Sequence, residues 1–470
     1  MQLPSSVIKS LQGVKGFDEH SFRDVHTSGE QITSVRLNPN KIFPSYPLIQ
    51  AGNKQYSVFN GHLERVTWCE QGYYLTQRPS FTLDPLFHAG AYYVQEASSM
   101  FLEEVLKQTA DLNRSLRVLD LCAAPGGKST LIQSMISPDS LLVSNEVIKS
   151  RVGILTENMV KWGSANVIIT NNDPRDMGRL QQYFDVIVVD APCSGSGLFR
   201  KDPSVTENWS EQQVQTCSRR QHRILEDVLP SLKKGGILIY STCSYSPEEN
   251  EDIADWLIER AGLSSVGLAL NEAWNIVETQ SLNSQAYGYR FYPDKLKGEG
   301  FFIAAFRNGE DNDPVKQRDD LPRQKNRADN IASNEINAVR PFLKERIDLF
   351  FTRQDEDLLA MPAPFQTDLM LLKRFLYLKK AGIKLGTVIR NELIPHHELA
   401  LSSMIGDNVN RVEVDHETAL NYLRRSEVMT PTEKKGWVLI TYAGLPLGWI
   451  KILADRINNY YPSGWRILNK

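Results

Sequence analysis

The feature of this chain that most constrains its fold is an alternation of short apolar runs and longer amphipathic segments, which begins at residue 117. Five apolar runs are predicted to be buried strands, at residues 117–121, 141–146, 166–170, 185–189 and 237–240. Helices are predicted at residues 129–136, 150–162, 211–232 and 247–260, with Gly235-Gly236 ending the third. Such alternation is typical of βαβ units, which build a parallel sheet with right-handed crossovers. The pattern predicts an α/β domain, and the apolar run at residues 301–306 is expected to close one edge of its sheet.

The remainder of the chain is expected to form further units, because 470 residues are too many for one ordinary hydrophobic core. We predict a small N-terminal α+β domain over residues 1–85, the α/β domain over 86–307 and a C-terminal region over 336–470. Residues 308–335 are polar and nearly free of large apolar side chains, which is typical of a linker. Shorter patterns predict helices at 17–25 and 371–381, and hairpins of residues 66–69 with 72–75 and 436–442 with 447–452.

Reactive side chains follow the ends of the predicted parallel strands. Asp190-Ala191-Pro192-Cys193 follows the fourth strand, and Ser241-Thr242-Cys243 follows the fifth. Ligands of open α/β sheets bind beyond the carboxyl ends of the strands. Because these two strands are neighbours in a doubly wound sheet, both thiols are expected to face one pocket.

The loop after the first strand, Cys122-Ala123-Ala124-Pro125-Gly126-Gly127-Lys128, comes close to a phosphate-binding loop. Cys122 stands where that pattern has its first glycine, the residue that lets backbone amides approach phosphate. In this interpretation Asp190 would end the strand that holds magnesium.

A second interpretation of the same loop uses two acids at other strand ends. Glu146 ends the second strand, where an acid hydrogen-bonds ribose hydroxyls. Asp173 follows the third strand and is placed to reach an adenine amino group. A glycine-rich turn with these two acids suits S-adenosylmethionine, an adenosyl cofactor without phosphates.

Two thiols beside a methyl donor indicate a particular reaction. C5 of cytosine is a poor nucleophile, and a thiolate that adds at C6 makes C5 reactive toward the methyl group. A base then removes the C5 proton and the thiolate leaves, while Asp190 is expected to contact the N3/N4 edge of the base. Methylation of an oxygen or an exocyclic amine needs no such nucleophile, so Cys193 and Cys243 point to C5 of a pyrimidine. Two buried structural cysteines are the alternative.

Motifs across residues 35–306 carry a resemblance to a known family: Tyr92-Tyr93-Val94-Gln95-Glu96-Ala97-Ser98-Ser99, Cys122 to Lys128, Asp190-Ala191-Pro192-Cys193-Ser194-Gly195-Ser196-Gly197, Arg200-Lys201-Asp202-Pro203 and Ser241-Thr242-Cys243-Ser244. They resemble the signatures of the NOL1/NOP2/Sun family of RNA cytosine-5 methyltransferases. The resemblance implies a Rossmann-like S-adenosylmethionine-dependent core in which Cys243 is the nucleophile and Cys193 aids product release. It also implies cofactor contacts from Cys122, Ala123, Ala124, Pro125, Gly126, Gly127, Lys128, Glu146, Asp173 and Asp190. Pro174 departs from the family, which often has glycine there.

The C-terminal region narrows the resemblance. Residues 378–386 and 395–401 are similar to the tail of bacterial RsmF-type enzymes, and residues 444–449 resemble a PUA-like RNA-binding module. This subgroup implies methylation of a cytosine in the decoding region of 16S rRNA, within the small ribosomal subunit. The lysines at 379, 380, 384, 434 and 435 are candidates for phosphate contacts, with solvated surface lysines as the alternative.

Composition restricts the class of protein further. A hydrophobic content of 41% with 23% charged residues is typical of a soluble globular protein. The five cysteines make neither a disulfide framework nor a metal-binding pair, so we expect reduced thiols, no metal and a cytoplasmic location. Residues 336–470 hold 19 lysines and arginines against 15 acidic residues, a slight basic excess that fits a polyanion partner and ordinary variation equally. The expected partner is RNA, bound by a monomer.

Three alternatives to this function stay open at this point. The first is a P-loop NTPase, which the loop at residues 122–128 allows. The second is an RNA-binding subunit that keeps the fold without catalysis. The third is a 5-methylcytosine methyltransferase whose substrate is 23S rRNA or tRNA.

Overall fold

The computed structural model describes residues 3–41, 48–51, 54–57, 63–309, 331–430 and 434–468. Its N-terminal elements are α1 (Ser5–Leu11), α2 (Glu19–Thr27), β1 (Thr33–Leu37), β2 (Leu48–Ala51), β3 (Lys54–Ser57), β4 (Glu64–Arg65), β5 (Gly72–Leu75), α3 (Pro85–His88) and β6 (Tyr92–Val94). Strands β4, β5, β1 and β6 form one sheet in that order, and β2 pairs with β3. A small α+β unit is thus present, and because β6 pairs with β1 it extends past the predicted boundary at residue 85.

The central elements follow in the predicted alternation. They are α4 (Leu102–Thr109), β7 (Arg117–Asp120), α5 (Gly127–Met135), β8 (Leu141–Asn145), α6 (Lys149–Trp162), β9 (Val167–Thr170), α7 (Pro174–Gly178), β10 (Phe184–Asp190), α8 (Ser204–Asn208), α9 (Glu211–Val228), β11 (Leu232–Thr242), α10 (Glu251–Glu259), β12 (Ser264–Val266), β13 (Val277–Gln280), β14 (Tyr287–Phe291) and β15 (Phe301–Arg307).

The C-terminal elements complete the chain. They are α11 (Ser333–Val339), β16 (Leu349–Gln354), β17 (Asp357–Pro362), α12 (Gln366–Phe375), β18 (Leu378–Ala381), β19 (Ile383–Ile389), β20 (Glu392–Pro395), α13 (His397–Leu401), β21 (Arg411–Glu413), α14 (His416–Leu423), β22 (Gly436–Tyr442), β23 (Leu445–Ile452) and β24 (Ile457–Asn459). Two four-stranded sheets form here, β16-β17-β19-β20 and β21-β22-β23-β24. The predicted hairpin at the end of the chain is β22 paired with β23.

A ten-stranded sheet organises the centre of the molecule. Its order is β13-β14-β15-β11-β10-β7-β8-β9-β18, with β12 paired to β15. Strands β11, β10, β7, β8 and β9 are parallel to one another. Successive side chains alternate between two hydrophobic cores, as Val118 and Leu119 do, because both faces of the sheet are covered. The predicted Rossmann-like α/β fold is therefore confirmed.

The edges of this sheet differ from the prediction. Residues 301–306 do not close an edge, because β15 lies between β14 and β11 and pairs with both in antiparallel fashion. The opposite edge is β18, which pairs antiparallel with β9 and comes from the C-terminal region. The predicted helix at 371–381 is thus wrong beyond Phe375, since pairing with the open edge of β9 outweighs the helical spacing of the sequence.

Three smaller predictions also need correction. The helix predicted over 211–232 ends at Val228, because Pro230 has no N–H to continue it, and Gly235-Gly236 lies inside β11 instead. Residues 66–69 form a turn, so the first arm of the predicted hairpin is β4. The predicted linker lies mostly outside the described residues, and its last residues begin α11 at Ser333. Within the described ranges, no helix has the length and apolar character needed to cross a membrane.

Candidate active site

Two thiols meet at the carboxyl ends of β10 and β11. These strands are parallel neighbours, with Asp190 opposite Ser241, and each cysteine lies within three residues of its strand. The Sγ atoms of Cys193 and Cys243 are 3.1 Å apart, and both cysteines are free. The predicted proximity of the two thiols is therefore confirmed. The hydrogen bond with Cys243, together with burial, raises the pKa of Cys193 and keeps it in the thiol form.

Asp190 links the thiol loops to the loop after β7. Its Oδ1 accepts a hydrogen bond from Ser241 Oγ at 2.9 Å, and its Oδ2 lies 2.8 Å from Lys128 Nζ. The ammonium group of Lys128 is also 5.0 Å from the centre of the Phe301 ring. The last residue of the glycine-rich loop thus reaches the acid beside the cysteines. In the described part of the chain, no cluster of three or more potential ligands has the geometry to hold a metal ion.

The glycine-rich loop after β7, which we call the cofactor cradle, turns sharply into α5. Gly126 precedes α5 with a φ of +116°, a conformation that L residues rarely adopt. A Cβ at Gly127 would lie in ordinary contact with the Tyr93 ring, at 3.4 Å. Cys122 lies in the same loop, and burial raises the pKa of its thiol. The shape of the cradle therefore depends on glycine at position 126.

Two acidic side chains beside this cradle each have one carboxylate oxygen without a hydrogen-bond donor. Glu146 Oε1 accepts from the Ile148 amide at 2.8 Å, but its buried Oε2 has no hydrogen-bond partner and lies 3.4 Å from Arg151 Nη1. Oδ1 of Asp120, at the end of β7, is likewise buried and unpartnered, and burial raises the pKa of this carboxyl to about 7. Glu146 is thus placed to accept bonds from ribose hydroxyls, so these residues fit an adenosyl cofactor.

Asp173 lies at the end of β9, as predicted, and its side chain is one-third exposed. Burial raises the pKa of Asp173, but hydrogen bonds from the side chain and amide of Arg175 outweigh it and leave the pKa below its ordinary value. Pro174 occupies the first position of α7, where its missing N–H costs nothing, and Asp173 caps that helix. The departure at Pro174 is therefore compatible with an acid at this place.

The tyrosine pair of the first motif has a packing function. Tyr92 is buried and its hydroxyl donates to Asp84 at 2.5 Å. Tyr93 lies against the glycine-rich loop at Gly127. Tyr93 therefore packs the N-terminal sheet on the cofactor cradle, whereas Tyr92 is held within the N-terminal unit.

The candidate lysines for phosphate contacts differ in burial and in their partners. Lys380 is buried in an ion pair with Glu398, so its candidacy is wrong. Lys384 is 3.0 Å from Asp357. Lys379 lies over the exposed Tyr377 ring, at 4.3 Å from its centre. The burial of Lys380 beside Glu398 could not be predicted from the sequence, because residues 378–381 were predicted to be part of a helix.

Besides Asp120 at the end of β7, sequence reasoning missed Glu249. It belongs to the turn Pro247–Glu249 that precedes α10, and its side chain is fully buried beneath both cysteine loops. The signal was the segment Pro247-Glu248-Glu249-Asn250, which was treated only as the start of a helix. Glu249 lies six residues after Cys243, and its burial beside that cysteine is visible only in the structure.

Solved structures share the fold of this chain. A methyltransferase homologue from Pyrococcus horikoshii aligns with a TM-score of 0.50 and 27% identity, over 65% of this chain and 100% of that one. NSun6 from Pyrococcus horikoshii, determined with SFG, aligns with a TM-score of 0.52 and 19% identity, over 66% and 99% of the two chains. The fold and the cradle define a Rossmann-like, S-adenosylmethionine-dependent methyltransferase.

The family follows from matches along most of the chain. Residues 107–307 match the 16S rRNA methyltransferase RsmB/F family, residues 3–97 the N-terminal domain of 16S rRNA methyltransferase RsmF, and residues 409–467 the methyltransferase RsmF PUA domain. Ribosomal RNA small subunit methyltransferase F of Aliivibrio fischeri (strain MJ11) is 31% identical over 446 residues, which cover 91% of this chain and 90% of that protein. The enzyme of the same name from Escherichia coli O9:H4 (strain HS) is 31% identical over 417 residues, 85% and 84% of the two chains. The chain belongs to the ribosomal RNA small subunit methyltransferase F family and is a 16S rRNA methyltransferase. The interpretations as an NTPase and as a non-catalytic subunit are therefore wrong.

Proposed function

We propose that this enzyme methylates C5 of one cytosine in the decoding region of 16S rRNA, through a covalent bond between Cys243 and C6 of the base. The observation that carries the proposal is the 3.1 Å separation of the Cys193 and Cys243 Sγ atoms beside Asp190. Methylation of an oxygen or an exocyclic amine needs no thiol, so a pair of thiols at adjacent strand ends is best explained by chemistry at C5.

The side chains divide the reaction between them. Cys243 Sγ adds to C6 while its thiol proton passes through water to N3 of the base, and the electron pair of the C5–C6 double bond becomes available at C5. Bound S-adenosylmethionine supplies the electrophilic methyl group and becomes S-adenosylhomocysteine. The Asp190 carboxylate accepts a hydrogen bond from the N4 amine, which gains positive charge as C5 takes the methyl group, and so stabilises the adduct. Loss of the C5 proton to water then restores the C5–C6 double bond as the Cys243 Sγ–C6 bond breaks, and the N3 proton returns to Cys243.

Cys193 assists this release. Because its pKa is raised, it remains a thiol. Its Sγ lies 3.1 Å from Cys243 Sγ, so its S–H can donate a hydrogen bond to Cys243 when that residue is a thiolate. That bond stabilises the thiolate that forms when Cys243 leaves C6. Of the two thiols, only Cys243 is needed for attack on C6. Removal of Cys193 should slow the departure of Cys243 from C6.

The same proposal assigns the cofactor to the cradle beside β7. The loop from Cys122 to Lys128 approaches its methionine part, Glu146 holds the ribose, and Asp173 reaches the adenine amine. Asp190 borders both the cofactor and the base. Support comes from the unpartnered Oε2 of Glu146 and from the NSun6 structure with SFG, an analogue of this cofactor.

The C-terminal unit that flanks the methyltransferase domain is expected to bind the RNA. The PUA match at residues 409–467 supports RNA binding by the C-terminal sheet. We expect the enzyme to act as a monomer in the cytoplasm, without a metal, on RNA of the small ribosomal subunit. A target base within a helix would have to flip out to reach Cys243.

The product itself tests the proposal. Small subunits and 16S rRNA from a strain that lacks this gene would be incubated with enzyme and S-adenosylmethionine, and the nucleosides separated by mass spectrometry. We expect one 5-methylcytidine per 16S rRNA, from wild type and from the Cys217→Ala control, whose cysteine lies on α9. Methylation at N4 or at a ribose hydroxyl would refute the proposal.

A further inference from the structure

Glu249 joins the two cysteine loops through one carboxylate. Its Oε1 accepts from the Ser194 amide at 2.8 Å and from Gln221 Nε2 at 3.1 Å. Its Oε2 accepts from the hydroxyls of Ser194 and Ser244, each at 2.5 Å. Ser194 follows Cys193 and Ser244 follows Cys243, so a single buried side chain connects the residues next to both thiols.

Asn250, the residue after Glu249, contacts only the Cys243 loop. Asn250 Oδ1 accepts from Thr242 Oγ1 at 2.6 Å, and its Nδ2 donates to the Ser244 carbonyl at 2.8 Å. These hydrogen bonds hold the residues on both sides of Cys243 and do not involve the Cys193 loop. Glu249 differs because it spans from the β11 loop to the β10 loop.

The burial of Glu249 is costly and needs an explanation. The side chain is fully buried, and desolvation raises the pKa of its carboxyl. None of its four donors carries a charge. A buried carboxylate with neutral partners stabilises a fold less than an apolar side chain of similar size would. Its placement beside two reactive thiols accounts for its presence better than stability does.

We propose that Glu249 is a positioning residue that holds the Cys193 and Cys243 loops in register for attack and release, an inference that rests on the proposed function. Through Ser194 and Ser244 it fixes the separation of the two Sγ atoms. Its charge also favours the thiol form of Cys193, since proximity to Glu249 raises the pKa of that thiol. Cys193 thereby stays a hydrogen-bond donor to Cys243.

The test compares Glu249→Gln with Glu248→Gln, which removes the same charge one residue earlier in the chain. Both proteins would be checked for unchanged melting temperature and for unchanged binding of S-adenosylhomocysteine. Displacement of a catalytic group by about 1 Å can cost 10²-fold in rate, so kcat of Glu249→Gln should fall by about 10²-fold with KM for rRNA unchanged. Glu248→Gln should turn over like wild type.

A second readout follows the thiol itself. In the Cys243→Ala background, alkylation of Cys193 by iodoacetamide would be followed against pH by mass spectrometry. Replacing Glu249 with glutamine should move the alkylation profile to lower pH, because a negative charge that disfavours the thiolate is removed. A role confined to folding would leave this profile in place.

A third variant tests the same role if Glu249→Gln does not fold. The double change Ser194→Ala with Ser244→Ala keeps the carboxylate but removes its hydroxyl donors, together with the 3.2 Å contact between the two hydroxyls, and should also lower kcat with KM unchanged. Wild-type kcat in either folded variant overturns the positioning role. If wild type makes no 5-methylcytidine at all, the proposed function fails instead, and the two failures are thus distinguished.

Discussion

Asp190→Asn tests how much of the reaction depends on the charge beside the thiols. Asparagine keeps an oxygen for the hydrogen bond from Ser241, but an amide group replaces the oxygen that lies 2.8 Å from Lys128 Nζ. Lys128 is only 11% exposed, so it loses its charged partner with little water to replace it. The base loses a carboxylate acceptor at its N4 amine in the adduct.

The expected magnitude follows from that lost contact. A hydrogen bond to a charged group contributes about 1.5–3 kcal/mol, and removal of one preorganised group that stabilises developing charge costs about 10²–10³ in kcat. We therefore expect a decrease of about 10²-fold in single-turnover methyl transfer at saturating cofactor and rRNA.

The matched control is Asp185→Asn, at the other end of the same strand. Asp185 also pairs with a lysine, Lys233 at 2.7 Å, but it lies far along β10 from the cysteines. Its replacement should lower stability and leave the rate unchanged. Asp190→Asn with a rate within threefold of wild type would refute the assignment of Asp190 to the reaction.

Three further predictions concern the cradle and the buried ion pair of Arg290 with Glu251. Glu146→Gln should weaken binding of S-adenosylhomocysteine by about 10–100-fold in calorimetry, because a charged acceptor for the ribose is lost; unchanged affinity would exclude Glu146 from the site. The pKa of Asp120 is raised from 3.8 to about 7, so its contribution to stability is fully present below pH 4 and is lost as pH rises to 7, a loss of up to about 4 kcal/mol. Asp120→Asn should therefore flatten the decline in melting temperature between pH 5 and about pH 7, and a slope equal to that of wild type would contradict it. Glu251→Ala should cost about 3–5 kcal/mol in denaturant unfolding, because Arg290 is left as a buried, unpaired cation; a cost under about 1 kcal/mol would contradict that.

The sequence was sufficient to predict those site residues whose positions depend on which strand they follow. Cys193 and Cys243 are 50 residues apart, yet their proximity follows from two parallel strands that end at the same edge. The same argument placed Glu146 and Asp173 at successive strand ends. Local apolar runs indicate which strands are buried, and the βαβ alternation indicates that these strands are parallel, so that their carboxyl ends meet at one edge of the sheet.

Other features required tertiary contacts that no local pattern encodes. Residues 378–381 have the spacing of a helix, and only the open edge of β9 makes them a strand. That error also hid the ion pair of Lys380 with Glu398. Glu249 was missed because its partners, Ser194 and Gln221, lie 55 and 28 residues away in the chain. Hydrogen bonds between distant loops are decided by the packed structure.

The central claim is the division of labour between the two cysteines, and trapping of the covalent adduct tests it most directly. Enzyme, S-adenosylmethionine and unmethylated 16S rRNA would be mixed, and protein–RNA adducts resolved on denaturing gels. We predict that Cys193→Ala accumulates the adduct, because attack is intact and release is slowed, and that Cys243→Ala gives neither adduct nor product. An adduct that persists in Cys243→Ala, or full turnover in that variant, would contradict the account.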